Sequence, residues 1–223
     1  PMATGGRMAT ATDPVLILAQ WFSPAYPVGA FAYSHGLETA IAAGRIAGPG
    51  DLQDWLTDIL RHGAGRADAL FLAAACRAKN TETLSEIDAL NRAFQPSAER
   101  LMETDLQGAA FAEATNAIWG TALPRLTYPV AVGRAARLRD LPPDRTAQLY
   151  LQAFTANLVG AGMRALPVGQ TEGQRIIHRL TPVCAEMAEA SRDGDLDALS
   201  STAFLADIAA MRHETLATRI FRS

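Results

Sequence analysis

Apolar residues along this chain recur at intervals of three and four, and that spacing predicts helices through nearly its whole length. Leu52, Trp55, Leu56, Ile59 and Leu60 fall on one helical face between Asp51 and Lys79, with Asp51 after Pro49-Gly50 as the expected N-cap. Gly63 and Gly65 should break that run, and a second helix is expected from about Arg66. Thr83-x-x-Glu86 fits a capping box for a helix reaching Phe94. After Gln95-Pro96-Ser97 a long helix is expected to Trp119, with Leu106, Ala110, Ala114 and Ile118 on one face. Pro124 and Pro129 frame a turn, and a short helix follows to Leu138.

Pro142-Pro143 marks the next start, since proline suits a first helical turn. The helix it opens carries only one charge, Arg164, between Thr146 and Leu166. A membrane span needs about 20 mostly apolar residues. Gln148, Gln152, Asn157 and Arg164 would each be costly in hydrocarbon, so a central helix surrounded by protein is the better reading. Pro167-Val168-Gly169 ends it, and Thr171-x-x-Gln174 fits a second capping box for a helix running to about Arg192. Asp193-Gly194-Asp195 reads as a loop, and a final helix should turn Phe204, Leu205, Ile208 and Met211 inward. Alternation with period two is rare, and β-branched residues do not cluster. The pattern therefore predicts an all-α, single-domain bundle over residues 13–223, with about eight to ten helices around a central apolar helix. Ala73-Ala74-Ala75 and Ala109-Ala110 should let helices approach closely. Pro1–Thr12 is small and polar without the apolar run of a signal peptide. It is expected to be disordered or left over from expression.

Composition narrows the function classes. At 223 residues and 49% hydrophobic, the chain can bury one good core. A net charge of −3 without a basic run speaks against nucleic acid, whose phosphates call for clustered Lys and Arg. Cys76 and Cys184 lie among apolar helical neighbours, as expected of free buried thiols in a reducing cytoplasm.

Familiar catalytic motifs fail one by one. His213-Glu214 begins like a zinc-protease helix, but Ala217 stands where the second histidine belongs. Gly160-x-Gly162-x-x-Ala165 lies inside a predicted helix with no strand before it, so small residues for helix packing explain it better than a dinucleotide loop. There is no GxxxxGK[ST] run, no CxxC and no nucleophile elbow. His35, His62, His178 and His213 show no i,i+3 or i,i+4 pairing. A helical metal-dependent enzyme would have to gather ligands such as His35, His178, His213 and carboxylates from distant segments, and it stays as the alternative.

Two segments do not look like ordinary core. Ser23–Glu38 mixes prolines, glycines and aromatics, and Pro24 and Pro27 fix φ and remove N–H donors. Such a stretch holds a rigid shape without regular hydrogen bonding. In Met211–Ser223, Arg212, Arg219 and Arg222 interleave with Leu216, Ile220 and Phe221. Arg and aromatic residues favour interfaces, and an apolar Arg-bearing tail should dock, either on its own domain or on a partner.

These segments resemble the urease accessory protein UreF family. Ser-Pro-Ala-Tyr-Pro-Val-Gly-Ala-Phe-Ala-Tyr-Ser-His-Gly-Leu-Glu, residues 23–38, resembles the family's SPALPVGGFSYSQGLE, with Tyr26, Ala30 and His35 as departures. Tyr128-Pro129-Val130, Asn157-Leu158-Val159 and Leu166–Arg175 resemble further family stretches. Met211-Arg-His-Glu-Thr and Arg219-Ile-Phe-Arg-Ser223 resemble its MRHE…SRLFRS ending. The resemblance implies an all-α homodimer in the cytoplasm. It implies a non-enzymatic adaptor that binds UreD (UreH in some bacteria), recruits the GTPase UreG and helps load nickel into apo-urease. No cofactor would be stably bound, and nickel would be present only in transit. No nucleic acid or membrane partner is implied. The partner-binding candidates are Pro24, Tyr26, Pro27, Gly29, Tyr33, His35, Gly36 and Glu38 in the first segment. Gln170, Gln174 and Arg175 stand in the middle, and Arg212, His213, Glu214, Arg219, Ile220, Phe221 and Arg222 in the tail.

Overall fold

A computed structural model describes residues 12–223, so the expectation for Pro1–Thr12 lies outside the described residues except at Thr12. Ten α-helices follow one another without a strand among these residues. They are α1 Pro14–Trp21, α2 Leu37–Ala42, α3 Pro49–His62, α4 Ala64–Arg77, α5 Thr81–Phe94 and α6 Ala98–Trp119. Then come α7 Tyr128–Leu138, α8 Pro143–Ala165, α9 Gln170–Ala190 and α10 Phe204–His213. The all-α single-domain bundle expected from the periodicity is what the chain forms.

Helix starts depart from the expected boxes in a consistent way. Helices α3, α5 and α9 each start one to three residues before the expected cap or box, by proline in α3, by an asparagine cap in α5 and without a side-chain cap in α9. Helix α3 starts at Pro49 after Gly48, so Asp51 sits in the first turn and accepts from the Ala47 N–H at 2.9 Å. Helix α5 is capped by Asn80, whose Oδ1 accepts from the Thr83 N–H at 2.8 Å, in place of the Thr83–Glu86 box. Helix α9 starts at Gln170 with no side-chain cap, and it continues through Pro182. Gly63 does break α3 from α4, as expected, but α4 opens at once at Ala64. Helices α1 and α2 are too short to show a period. The first is held by Asp13, whose carboxylate accepts from the Val15 N–H at 2.9 Å.

The centre of the core is α4 and not α8. Every residue from Ala67 to Cys76 is buried. Helix α8 packs against α1, α2, α3, α4, α7 and α9, yet the side bearing Gln152, Asn157 and Arg164 is only half-buried and lines a cleft. Within the small-residue run on α8, Gly162 does pack closely, against Leu52, whereas Gly160 faces open space.

Helix α7 approaches α4 at Gly133, where an added Cβ would lie 2.8 Å from the Ala75 Cβ and would clash with the Leu72 carbonyl oxygen. The alanine run on α4 supplies the other half of this contact. Cys76 Sγ donates to the Gly133 carbonyl at 3.2 Å across it. Burial pushes that thiol up to about 12. Cys76 and Cys184 are both free and buried.

The apolar faces of two helices are largely exposed, and for α10 this reverses the expectation. On α6 the buried positions are Arg100, Glu103, Thr104, Gln107, Gly108, Phe111, Ala112 and Thr115, while Leu106 and Ile118 are exposed. On α10 the inner face is Ala206, Ala209, Ala210 and His213, and Phe204, Leu205, Ile208 and Met211 point outward, Phe204 being 65% exposed. In both helices an apolar stripe exists, but a period cannot say which side the rest of the fold covers. Small residues win the inside of α10 because α2 comes very close there. A Cβ on Gly36, with φ 75°, would lie 2.5 Å from the Ala210 backbone nitrogen. No helix of the described residues is long and apolar enough to cross a membrane.

Gly133→Leu should force α4 and α7 apart. A loss of about 3 kcal/mol or failure to fold is expected, read by urea unfolding.

Candidate functional site

The Ser23–Glu38 segment is held from inside. Tyr26 is buried among Phe111 and Trp119, and its hydroxyl lies 2.8 Å from the Thr115 hydroxyl. Gly29 at φ 72° starts a single 3-10 turn, Ala30–Ala32. His35 adopts φ 55°, a left-handed conformation that costs a non-glycine residue energy. Pro24, Pro27 and Gly29 are exposed, while Tyr33, His35, Gly36 and Glu38 turn inward.

The C-terminal segment docks on this one. The Glu38 carboxylate accepts from the backbone N–H groups of Ile220 at 2.7 Å and Phe221 at 3.0 Å. Its Oε2 also faces His213 Nε2 at 3.2 Å, and His213 Nδ1 contacts Glu99 at 2.6 Å. Arg219 pairs with the other oxygen of Glu99. The Arg222 N–H donates to the Ala32 carbonyl, and the Ser34 N–H to the Ser223 carbonyl, each at 2.8 Å. Phe221 is buried, and the Arg164 guanidinium lies between it and Phe31, 4.7 Å and 3.5 Å from the ring centroids. Glu214 reaches the start of α6 and accepts from the Ala98 N–H at 2.8 Å, where a carboxylate meets the positive end of the helix.

Beneath this clasp lies a layer of buried charges. Ser223 Oγ donates to Glu103 at 2.5 Å, and Glu103 pairs with Arg100 and with His35 Nε2, the latter at 2.7 Å. Burial alone would raise the Glu103 pKa. The Arg100 charge and the hydrogen bonds from His35 and Ser223 overcome that and hold the carboxyl at about 2. Burial, aided by Arg100, pushes His35 down and keeps it neutral. His35 Nε2 faces both the Glu103 carboxylate and Arg100 Nη1, the latter at 2.9 Å, while Nδ1 is buried without a partner among the described residues. Asp68 is pushed up to about 6 by burial, against the opposing effects of Arg100 and a 2.7 Å hydrogen bond from the Tyr150 hydroxyl.

His35, Asp68, Arg100 and Glu103 form part of the lining of a cleft of about 720 Å³ between α8 and residues 19–35. Pro24, Gly29 and Phe31 stand at its rim. One wall of the cleft is therefore the Pro/Gly segment itself.

The structure brings together the first and last groups of candidate residues, Tyr33 to Glu38 with His213 to Phe221. Gln170, Gln174 and Arg175 are exposed in the first turns of α9 and have no contact with the clasp; Arg175 pairs locally with Glu172 at 3.0 Å. Arg212 and Arg222 are exposed. His178 is exposed on α9, apart from His35 and His213, and among the described residues no group of three His, Cys, Asp or Glu side chains is arranged to hold a metal ion. Sequence reasoning missed Asp68, Glu99, Arg100, Glu103 and Arg164. The Arg100–Glu103 spacing of three was a usable signal, because such a pair shares a helix face. Nothing in the pattern said that the face is buried.

Glu103→Gln should destabilise the protein by about 3 kcal/mol at pH 7, because Arg100 then stands buried without its counter-charge. The folded pKa of Glu103 lies below its ordinary 4.5, so its contribution is present above that value and is lost as pH falls toward 2. Thermal melts of the wild type and the variant should therefore converge between about pH 4 and pH 2.

Comparison with known proteins shows the family. The UreF family profile matches residues 46–181. A urease accessory protein UreF from Ruegeria pomeroyi is 54% identical over 217 residues, covering 97% of this chain and all of the relative. One from Roseobacter denitrificans is 50% identical over 217 residues, covering 97% of both chains. A third, from Ruegeria sp., is 57% identical over 212 residues, covering 95% of this chain and 99% of its own. With likeness at this level over nearly the whole chain, the chain belongs to the urease accessory protein UreF family.

Proposed function

We propose that this chain is a non-enzymatic adaptor for urease maturation, working in the cytoplasm as a homodimer. It binds UreD (UreH) through the face formed by α10 and the clasped tail, and the pair recruits UreG so that nickel reaches apo-urease. Nickel is cargo in this scheme, and the chain holds no cofactor of its own. Pro24, Pro27 and Gly29, the exposed points of the rigid segment, belong to the same partner-binding surface, and Gln170, Gln174 and Arg175 offer a second, polar contact.

The observation that carries the reading is the outward apolar face of α10. Phe204, Leu205, Ile208 and Met211 are all exposed, and the same chain continues into Ile220, which is 69% exposed. Exposed apolar clusters of this kind mark sites where another protein sits. The buried hydrogen bonds to Glu38 hold the tail rigid beside it, which lowers the ordering cost of binding.

Ile208→Glu together with Leu205→Arg should reduce co-purification with UreD about tenfold or more, a loss of about 1.4 kcal/mol. Both side chains are exposed, so unfolding midpoints should change by less than about 0.5 kcal/mol. Deleting Thr215–Ser223 should abolish co-purification while most helical circular dichroism remains. Normal UreD binding by both variants would overturn the assignment of this face.

A further inference from the structure

We infer that the cleft between α8 and residues 19–35 binds a small organic ammonium ion, with the Asp68 carboxylate as counter-charge and aromatic rings as walls. Its volume of about 720 Å³ falls in the range typical of small-molecule sites. Trp21, Phe22, Tyr26, Tyr128, Tyr150 and Phe154 line it. The faces of such rings carry partial negative charge and attract cations, ammonium groups among them.

Charge balance at the floor points the same way. Glu103 is answered by Arg100, and His35 is neutral. Asp68 is buried, and the Tyr150 hydroxyl is its one hydrogen-bond partner among the described residues. Asp68 is ionised above about pH 6. Asp68 has no ion-pair partner among the described residues and lines a roomy aromatic cleft, an arrangement that is costly for a carboxylate unless a cation or water answers it. An anionic ligand would meet Asp68, and a neutral apolar one would leave its charge unanswered. At the mouth, Arg164 Nη2 donates to the Phe31 carbonyl at 2.8 Å and the guanidinium stacks on the rings of Phe31 and Phe221, while Nε and Nη1 are buried without a partner among the described residues. An alkylammonium ion satisfies both the floor and the walls.

The test is titration of the whole chain at pH 7.5 with n-butylammonium, n-butanol and butyrate, followed by amide chemical shifts in NMR. The expected result is saturable binding of n-butylammonium about tenfold or more tighter than n-butanol, and no saturable binding of butyrate. Asp68→Asn should bring the ammonium ion down to the level of the alcohol. Equal binding of ammonium and alcohol, no saturable ammonium binding, or unchanged binding by Asp68→Asn would each overturn the inference. If Asp68→Asn does not fold, the wild-type preference between charged and neutral probes decides alone.

Discussion

Among the buried carboxylates, two lie where the terminal segments meet, and they must be answered there. Glu38 on α2 and Glu103 on α6 are both buried. A buried carboxylate without partners costs several kcal/mol, far more than any single apolar contact returns. Local sequence supplies Arg100 to Glu103, but Glu38 has no cation on its own helix. Its partners come from the last residues of the chain, as two backbone N–H groups and His213. The position of the tail, the burial of Phe221 and the close approach of α10 to α2 at Gly36 are mutually consistent with this one requirement.

The same requirement accounts for the unusual inside of α6. A helix whose buried face holds Glu103, Thr104, Gln107 and Thr115 gives up hydrophobic burial there. In exchange it places hydrogen-bonding groups where the Pro/Gly segment and the tail both need them. Tyr26 is tied to Thr115, and Ser223 to Glu103. Irregular backbone between Ser23 and Gly36 can then persist without helix or strand hydrogen bonds, because its side chains are fastened to a rigid helix beneath.

Much of the fold was legible in the sequence and much of the site was not, for separable reasons. Helix existence follows from period alone, and the breaks at Gly63, Pro96 and Pro142-Pro143 are local chemistry. The face of α10 was misread because burial is a tertiary fact: Phe204 looks like core until Ala206, Ala209 and Ala210 are seen to pack instead. Helix α8 looked central because it lacks charge, yet its open side only becomes visible when the Pro/Gly segment is placed across from it. The two unusual segments stood out by composition. Their meeting across the molecule, and the charged layer under them, depend on contacts between residues far apart in the chain.

That distance has a consequence for how the molecule is made. Ser34 and Ser223 are joined by a hydrogen bond between residues 189 positions apart. Contacts of such long range form late and slow the approach to the native state. During synthesis, which proceeds from the N-terminus at about 5–20 residues per second, Glu38 is complete well before the segment that neutralises it has left the ribosome. The middle helices can associate early, but the end of the bundle carrying the clasp stays unfinished until residues 213–223 are available. Until then Glu38 lacks the two backbone N–H groups and the imidazole that face it in the finished fold.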